Sequence, residues 1–174
     1  MKQQIFSLSE NKLTTDYEVV LDLGEQPWGN NFLTEDQVGK EPFYPLKLVY
    51  CNKSELLQLS YFVPKEVMFS NHTYLSGMTK SLQSHFYNIA KENFEDLNLS
   101  FDDIVVDIGG NDGTQLLQYK KLGFNNVINI ESAGNICKLS EESGIKSHHM
   151  FFNEENVKGV IDKGSVKLIN ASGV

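Results

Sequence analysis

The sequence predicts an α/β protein with a parallel sheet in its C-terminal part and a small β-rich part ahead of it. Three observations carry this. From residue 99 onward, short apolar runs alternate with stretches of helical period. One of those runs, Ile104-Val105-Val106-Asp107-Ile108, feeds a glycine-rich turn that opens a helix. Residues 1–66 instead carry short strand-like runs broken by turn residues. This texture divides the chain into a β-rich domain over 1–66, a helical connector over 67–98 and the sheet over 99–174.

The elements follow in order. Val19-Val20-Leu21-Asp22-Leu23 is apolar and β-branched, and Gly24 is expected to end it. Residues 25–31, with Pro27 and Gly29 as breakers, read as a loop. Pro45-Leu46-Lys47-Leu48-Val49-Tyr50 alternates like a half-buried strand, and Leu56-Leu57-Gln58-Leu59 is a further short one. Tyr74-Leu75-Ser76-Gly77 reads as a turn. After it, Leu82, Phe86, Ile89 and Ala90 share one face of a helix. The strand at residues 104–108 is followed by a helix from Thr114 to Leu122, stopped by Gly123. Val127-Ile128-Asn129-Ile130, a helix over 135–142, a short strand over 145–149, a helix after Asn153 and the run Val166-Lys167-Leu168-Ile169 complete a βαβαβαβ rhythm. Such a rhythm implies right-handed crossovers and a doubly wound parallel sheet.

Composition narrows the function classes. The 174 residues hold 15 Lys+Arg against 23 Asp+Glu, a formal net charge of −8. That balance argues against nucleic acid or a membrane surface as partner, since both need a basic face. Cys51 and Cys137 are the only cysteines, too few for a disulfide framework or a four-cysteine metal site. No stretch approaches the roughly 18 apolar residues of a membrane span. The start, Met1-Lys2-Gln3-Gln4-Ile5-Phe6, lacks the pattern of a secretory signal, so a cytoplasmic protein is expected.

The chemistry concentrates in Asp107-Ile108-Gly109-Gly110-Asn111-Asp112-Gly113-Thr114. In open α/β sheets ligands bind at the carboxyl ends of such strands, and glycine lets the backbone approach them. Glu131, ending the next strand, is placed to accept hydrogen bonds from ribose hydroxyls. The G-x-G-x-x-G spacing that seats a pyrophosphate is not met. Carboxylates at Asp107 and Asp112 would repel a pyrophosphate and suit a ligand with an ammonium group and no phosphate. S-adenosylmethionine is such a ligand. A nicotinamide cofactor, and with it oxidoreductase chemistry, fits less well, and a purely structural glycine turn is the third reading. Val19-Val20-Leu21-Asp22-Leu23-Gly24 has a similar shape but no second glycine and no periodic helix, and reads as structural.

Four blocks resemble one family in order and spacing. They are Leu21-Asp22-Leu23-Gly24-Glu25-Gln26-Pro27-Trp28 with Asn31-Phe32-Leu33; Tyr44-Pro45-Leu46-Lys47-Leu48 with Cys51 and residues 56–59; Val63-Pro64 through Phe69 with Tyr74-Leu75-Ser76-Gly77 and His85; and the glycine turn itself. With them the chain resembles the S-adenosylmethionine-dependent C-methyltransferases of nucleotide-linked deoxysugars. The resemblance implies a small zinc-binding domain ahead of a Rossmann-like class I methyltransferase sheet. It implies methylation of a sugar carbon next to a ketone: a base removes the proton on that carbon, and the enolate attacks the methyl group.

On that resemblance Asp107, Gly109, Gly110, Asn111, Gly113, Glu131 and Phe152 are the cofactor-binding candidates, with Phe152 or Phe151 covering the adenine or lying in the core. Tyr74 either meets a sugar oxygen or packs as a turn tyrosine. His85 either faces the ligand or sits half-buried on its helix, and His72 and the His148-His149 pair are weaker candidates. Two departures stand out. The family's two Cys-x-x-Cys pairs are reduced to Cys51, so the zinc site is expected to be lost, with Cys51 a buried apolar side chain. The family's sequence also runs on past the position of Val174 to its catalytic base. This implies a truncated product, a decayed non-catalytic fragment, or one half of a split enzyme needing a partner chain.

Overall fold

The computed structural model describes residues 3–29, 31–71 and 73–174. Met1, Lys2, Asn30 and His72 lie outside the described residues, so the candidate role of His72 is not addressed by the structure. The chain forms two compact units that divide between Met68 and Phe69.

The first unit is antiparallel. A hairpin pairs β1 (Ile5–Ser7) with β2 (Lys12–Thr14). A second sheet has the order β3 (Tyr17–Pro27), β4 (Phe43–Cys51), β5 (Leu56–Leu59). Its core is small: Ile5, Tyr17, Val49 and Cys51. Gln58 fastens the hairpin to this sheet, accepting from the Leu8 N–H at 3.0 Å and donating to the Phe6 carbonyl at 2.7 Å. Cys51 is buried and unpaired. Gly24 does not end a strand, contrary to the sequence expectation. Its φ of +72° sits inside a register shift between Asp22 and Glu25, and β3 continues to Pro27. Glycine here makes a bulge that re-aims the strand. A short helix, α1 (Lys65–Phe69), follows.

The second unit is an α/β sheet. Helix α2 (Lys80–Asp96) buries Phe86 and Ala90. It is followed by β6 (Ile104–Ile108), α3 (Thr114–Leu122), β7 (Asn126–Glu131), α4 (Gly134–Glu142), β8 (Lys146–His149), α5 (Glu154–Val157) and β9 (Val166–Ala171). The strands are all parallel in the order β8-β7-β6-β9. The chain winds outward from β6 through β7 to β8, then crosses to the other side of β6. That reversal leaves a crevice at the carboxyl ends of β6 and β9.

Both faces of the central strands β6 and β7 are covered, which is why these two read as apolar runs. On one face Val105, Val127 and Leu168 pack with Ala90, Leu116, Tyr119 and Phe124. On the other, Val106, Ile128 and Ile130 pack with Met150, Val157 and Ile161. Gly123, at φ +111°, stops α3 in the left-handed conformation that glycine adopts without strain.

Candidate cofactor and substrate site

β6 delivers the chain into a turn with three left-handed residues: Gly109 (φ +63°), Asn111 (φ +52°) and Gly113 (φ +78°). The Gly109 N–H donates to the Ile130 carbonyl at 2.8 Å, tying the turn to the end of β7. The glycines answer to different demands. A Cβ on Gly110 would lie 2.5 Å from Asn129 Oδ1 and 2.9 Å from the Asp107 side chain. One on Gly113 would lie 2.5 Å from Ser140 Oγ. These two are close-packed from inside the unit, whereas Gly109 is approached by the Val174 side chain.

Glu131 ends β7 and is only 6% exposed. Its Oε2 accepts from the Asn111 N–H at 2.9 Å and its Oε1 from the Ala133 N–H at 2.7 Å. The carboxylate therefore faces the turn and holds it. Oε1 also accepts from Ser132 Oγ at 3.5 Å, whereas Oε2 keeps a second lone pair for a hydroxyl donor.

Asp107 lies 2% exposed in β6, in register with Asn129 on one side and Asn170 on the other. Burial, and secondarily the Glu131 carboxylate, pushes its pKa up to about 7. Near neutral pH it is thus divided between acid and carboxylate, and it sits beneath Gly110, not out in the crevice as a fixed charge.

The turn with Tyr74 is brought directly onto the glycine turn. Asn111 and Asp112 bond the backbone of Tyr74, Ser76 and Gly77. The Tyr74 side chain is 56% exposed. His85, read from sequence as either ligand-facing or half-buried, is exposed on α2, with its ring 6.0 Å from that of Phe86. It lies one helical position from the buried face marked by Phe86 and Ala90, which turns it toward solvent. Phe152 is 46% exposed beyond β8, and Phe151 is half-buried. His149 Nε2 lies 3.1 Å from the Ser132 carbonyl, a structural contact.

Sequence reasoning missed the residues beneath the turn. Asn129 Nδ2 donates to the Asn111 carbonyl and to Ser140 Oγ, both at 2.9 Å. The available signal was an asparagine inside the apolar run of β7, a place where a buried amide must have partners. Tyr119 and Asn170 extend the same polar layer, their side chains 3.4 Å apart.

Residues 13–69 match the family model described as "Putative zinc binding domain". The chain is 26% identical over 133 residues to the C-methyltransferase NovU of Streptomyces niveus, covering 76% of this chain and 31% of that protein. The chain therefore spans about a third of that relative's length. Among solved structures it is similar to geranyl diphosphate C-methyltransferase from Streptomyces coelicolor A3(2), at 10% identity and a TM-score of 0.40, covering 63% of this chain and 50% of that one. It is also similar to the plantazolicin methyltransferase BamL, at 22% identity and a TM-score of 0.35, covering 52% and 35%. Those scores are too low to bear on the fold, which rests on the strand order above.

The zinc that the matched domain implies does not fit the donors present. Residues 1–68 contain one cysteine and no histidine. Cys51 is packed against Ile5, Tyr17 and Val49, and no cluster of three or more His, Cys, Asp or Glu side chains suited to a metal occurs among the described residues. A tetrahedral structural site needs four ligands. Residues 13–69 are thus similar to a zinc-binding-type domain and the chain to a C-methyltransferase, with one cysteine and no histidine among residues 1–68 to ligate zinc.

Proposed function

We propose that this chain seats S-adenosylmethionine at the crevice beside β6 and β9, and that the protein serves methyl transfer to a carbon of a nucleotide-linked keto-deoxysugar. The observation that carries the cofactor reading is the glycine turn at the end of β6 with the Glu131 carboxylate against it. The four sequence blocks support the sugar class. Bound there, the cofactor supplies an activated methyl group.

The chain's own residues divide the work. Gly109 keeps the backbone approachable, and the turn through Gly110, Asn111 and Gly113 shapes the seat. Glu131 accepts a ribose hydroxyl on the remaining lone pair of Oε2. Asp107, when ionised, sets a negative potential under the turn that favours an ammonium group. Phe152 covers the adenine. Tyr74 offers its hydroxyl to a sugar oxygen or relays a proton there.

The test is calorimetric titration with S-adenosylhomocysteine. The wild-type chain binds it, and Gly109→Ala weakens binding at least about tenfold, since the φ of +63° disfavours any other residue and the turn that forms the seat must shift. Absence of binding by a folded wild-type chain would sink the cofactor assignment.

A further inference from the structure

We propose that Asn111 and Asp112 are positioning residues that latch the Tyr74 turn onto the glycine turn, so that a ligand held at Glu131 orders the Tyr74 turn as well. This rests on the cofactor reading above and adds a coupling to it.

The latch is built from hydrogen bonds of complementary kind. Asn111 Oδ1 accepts from the Ser76 N–H at 2.9 Å, and Asn111 Nδ2 donates to the Tyr74 carbonyl at 3.0 Å. A backbone acceptor and a backbone donor two residues apart are matched by one side-chain amide. An aspartate at this position would keep the first bond and lose the second, because a carboxylate only accepts. Asp112 adds a parallel tie. Its Oδ2 accepts from the Gly77 N–H at 2.8 Å, while its Oδ1 accepts from the Thr114 N–H at 3.1 Å and starts α3. Gly77 must be glycine for the approach, because a Cβ there would lie 2.8 Å from Thr114 Oγ1 and 2.9 Å from Asp112 Oδ2. The Gly77 carbonyl in turn accepts from Gln83 Nε2 at 2.8 Å, which carries the tie into α2.

Asn111 is also the residue through which the two halves of the site meet. Its backbone N–H is held by Glu131 Oε2, and its carbonyl by Asn129 Nδ2, both at 2.9 Å. Its φ of +52° is one that glycine adopts at no cost and asparagine adopts at some. Glycine would satisfy the backbone, but only asparagine also makes the two bonds to Tyr74 and Ser76. A ligand that engages the Glu131 carboxylate acts on the group that fixes Asn111, and Asn111 fixes the Tyr74 turn. Ordering one turn thereby lowers the cost of ordering the other, which is positive coupling between the cofactor and sugar positions.

Amide hydrogen exchange followed by NMR tests this on the 174-residue chain, with and without saturating S-adenosylhomocysteine. In wild type the ligand slows exchange at the Ser76 and Gly77 amides by about tenfold. In Asn111→Gly, chosen because glycine suits the backbone there, ligand-dependent slowing at Ser76 falls below about twofold. In Asp112→Ser, which retains a short acceptor for the start of α3, the slowing is lost at Gly77 and kept at Ser76. Unchanged slowing in both variants, or a ligand-bound wild type with no slowing at either amide, overturns the proposal. If wild type does not bind the probe, the cofactor reading fails instead, and the ligand-free rates decide the latch. Ser76 exchange about tenfold faster in Asn111→Gly upholds it, and equal rates reject it.

Discussion

The two units of this chain solve the problem of a core differently. The second encloses its central strands β6 and β7 between two apolar layers, with Val105, Val106, Leu116, Tyr119 and Ile130 almost wholly removed from water. The first gathers only Ile5, Tyr17, Val49 and Cys51, while Val19, Val20, Leu21 and Leu23 of β3 stay about half exposed. A unit of fewer than about 70 residues seldom buries enough apolar surface by itself, and a structural metal is one usual remedy. Here residues 1–68 hold one cysteine and no histidine, and no metal-suited cluster occurs among the described residues. The first unit leans instead on the two bonds of Gln58 to the hairpin and on a four-residue core.

This contrast can be broken open because Trp28, the only tryptophan, belongs to the first unit, whereas most of the helix belongs to the second. Tryptophan fluorescence and helical circular dichroism therefore follow the two units separately. The largest effect is expected for Gly113→Val. The φ of +78° and the clash with Ser140 are expected to cost the second unit about 4 kcal/mol. The helical transition moves to much lower denaturant, and the fluorescence transition stays in place. A joint shift of both signals would show that the units do not unfold separately.

A smaller effect is expected for Asp107→Asn, and it depends on pH. The folded pKa of about 7 lies above the usual 3.8, so the folded state holds a proton that the unfolded state has released. The contribution of the neutral acid is full below pH 3.8 and is lost as pH rises through about 7. The variant removes this slope and, in mildly alkaline buffer, stabilises the second unit by about 2–4 kcal/mol. Parallel stability curves for wild type and variant across that range would contradict it.

The smallest effect belongs to the first unit. Cys51→Ala removes a buried sulfur from a small cluster and costs about 1 kcal/mol by the fluorescence transition. A zinc chelator leaves that transition unmoved in wild type. One zinc per chain by elemental analysis would overturn the reading of the donors.

Legibility followed the same divide. In the second unit, β6 and α3 fall at Ile104–Ile108 and Thr114–Leu122, where apolar runs and a stopping glycine put them. Strands covered on both faces need no alternation, and a helix ended by glycine carries its own boundary. In the first unit β1 and β2 are three residues each, too short to show a period, and Gly24 looked like an end where it makes a bulge. The placement of Gly109 and Asn111 in the turn and of Glu131 at the end of β7 could be read from sequence because turn and strand ends are local features. The exposure of His85 could not, because one step around a helix decides it.

By itself the sequence determined the parallel sheet, the glycine turn at the end of β6, the acidic residue that ends the next strand and the presence of one cysteine in residues 1–68. All of these depend on residue type and on spacing within about ten residues. Only the tertiary structure decided that Asp107 lies between Asn129 and Asn170, that Glu131 holds the Asn111 backbone, and that Asn111 and Asp112 grip a turn 35 residues earlier in the chain. Those contacts follow from strand register and from the packing of α2 on the sheet. Both are settled by which surfaces are buried together, and no local pattern of residues records that.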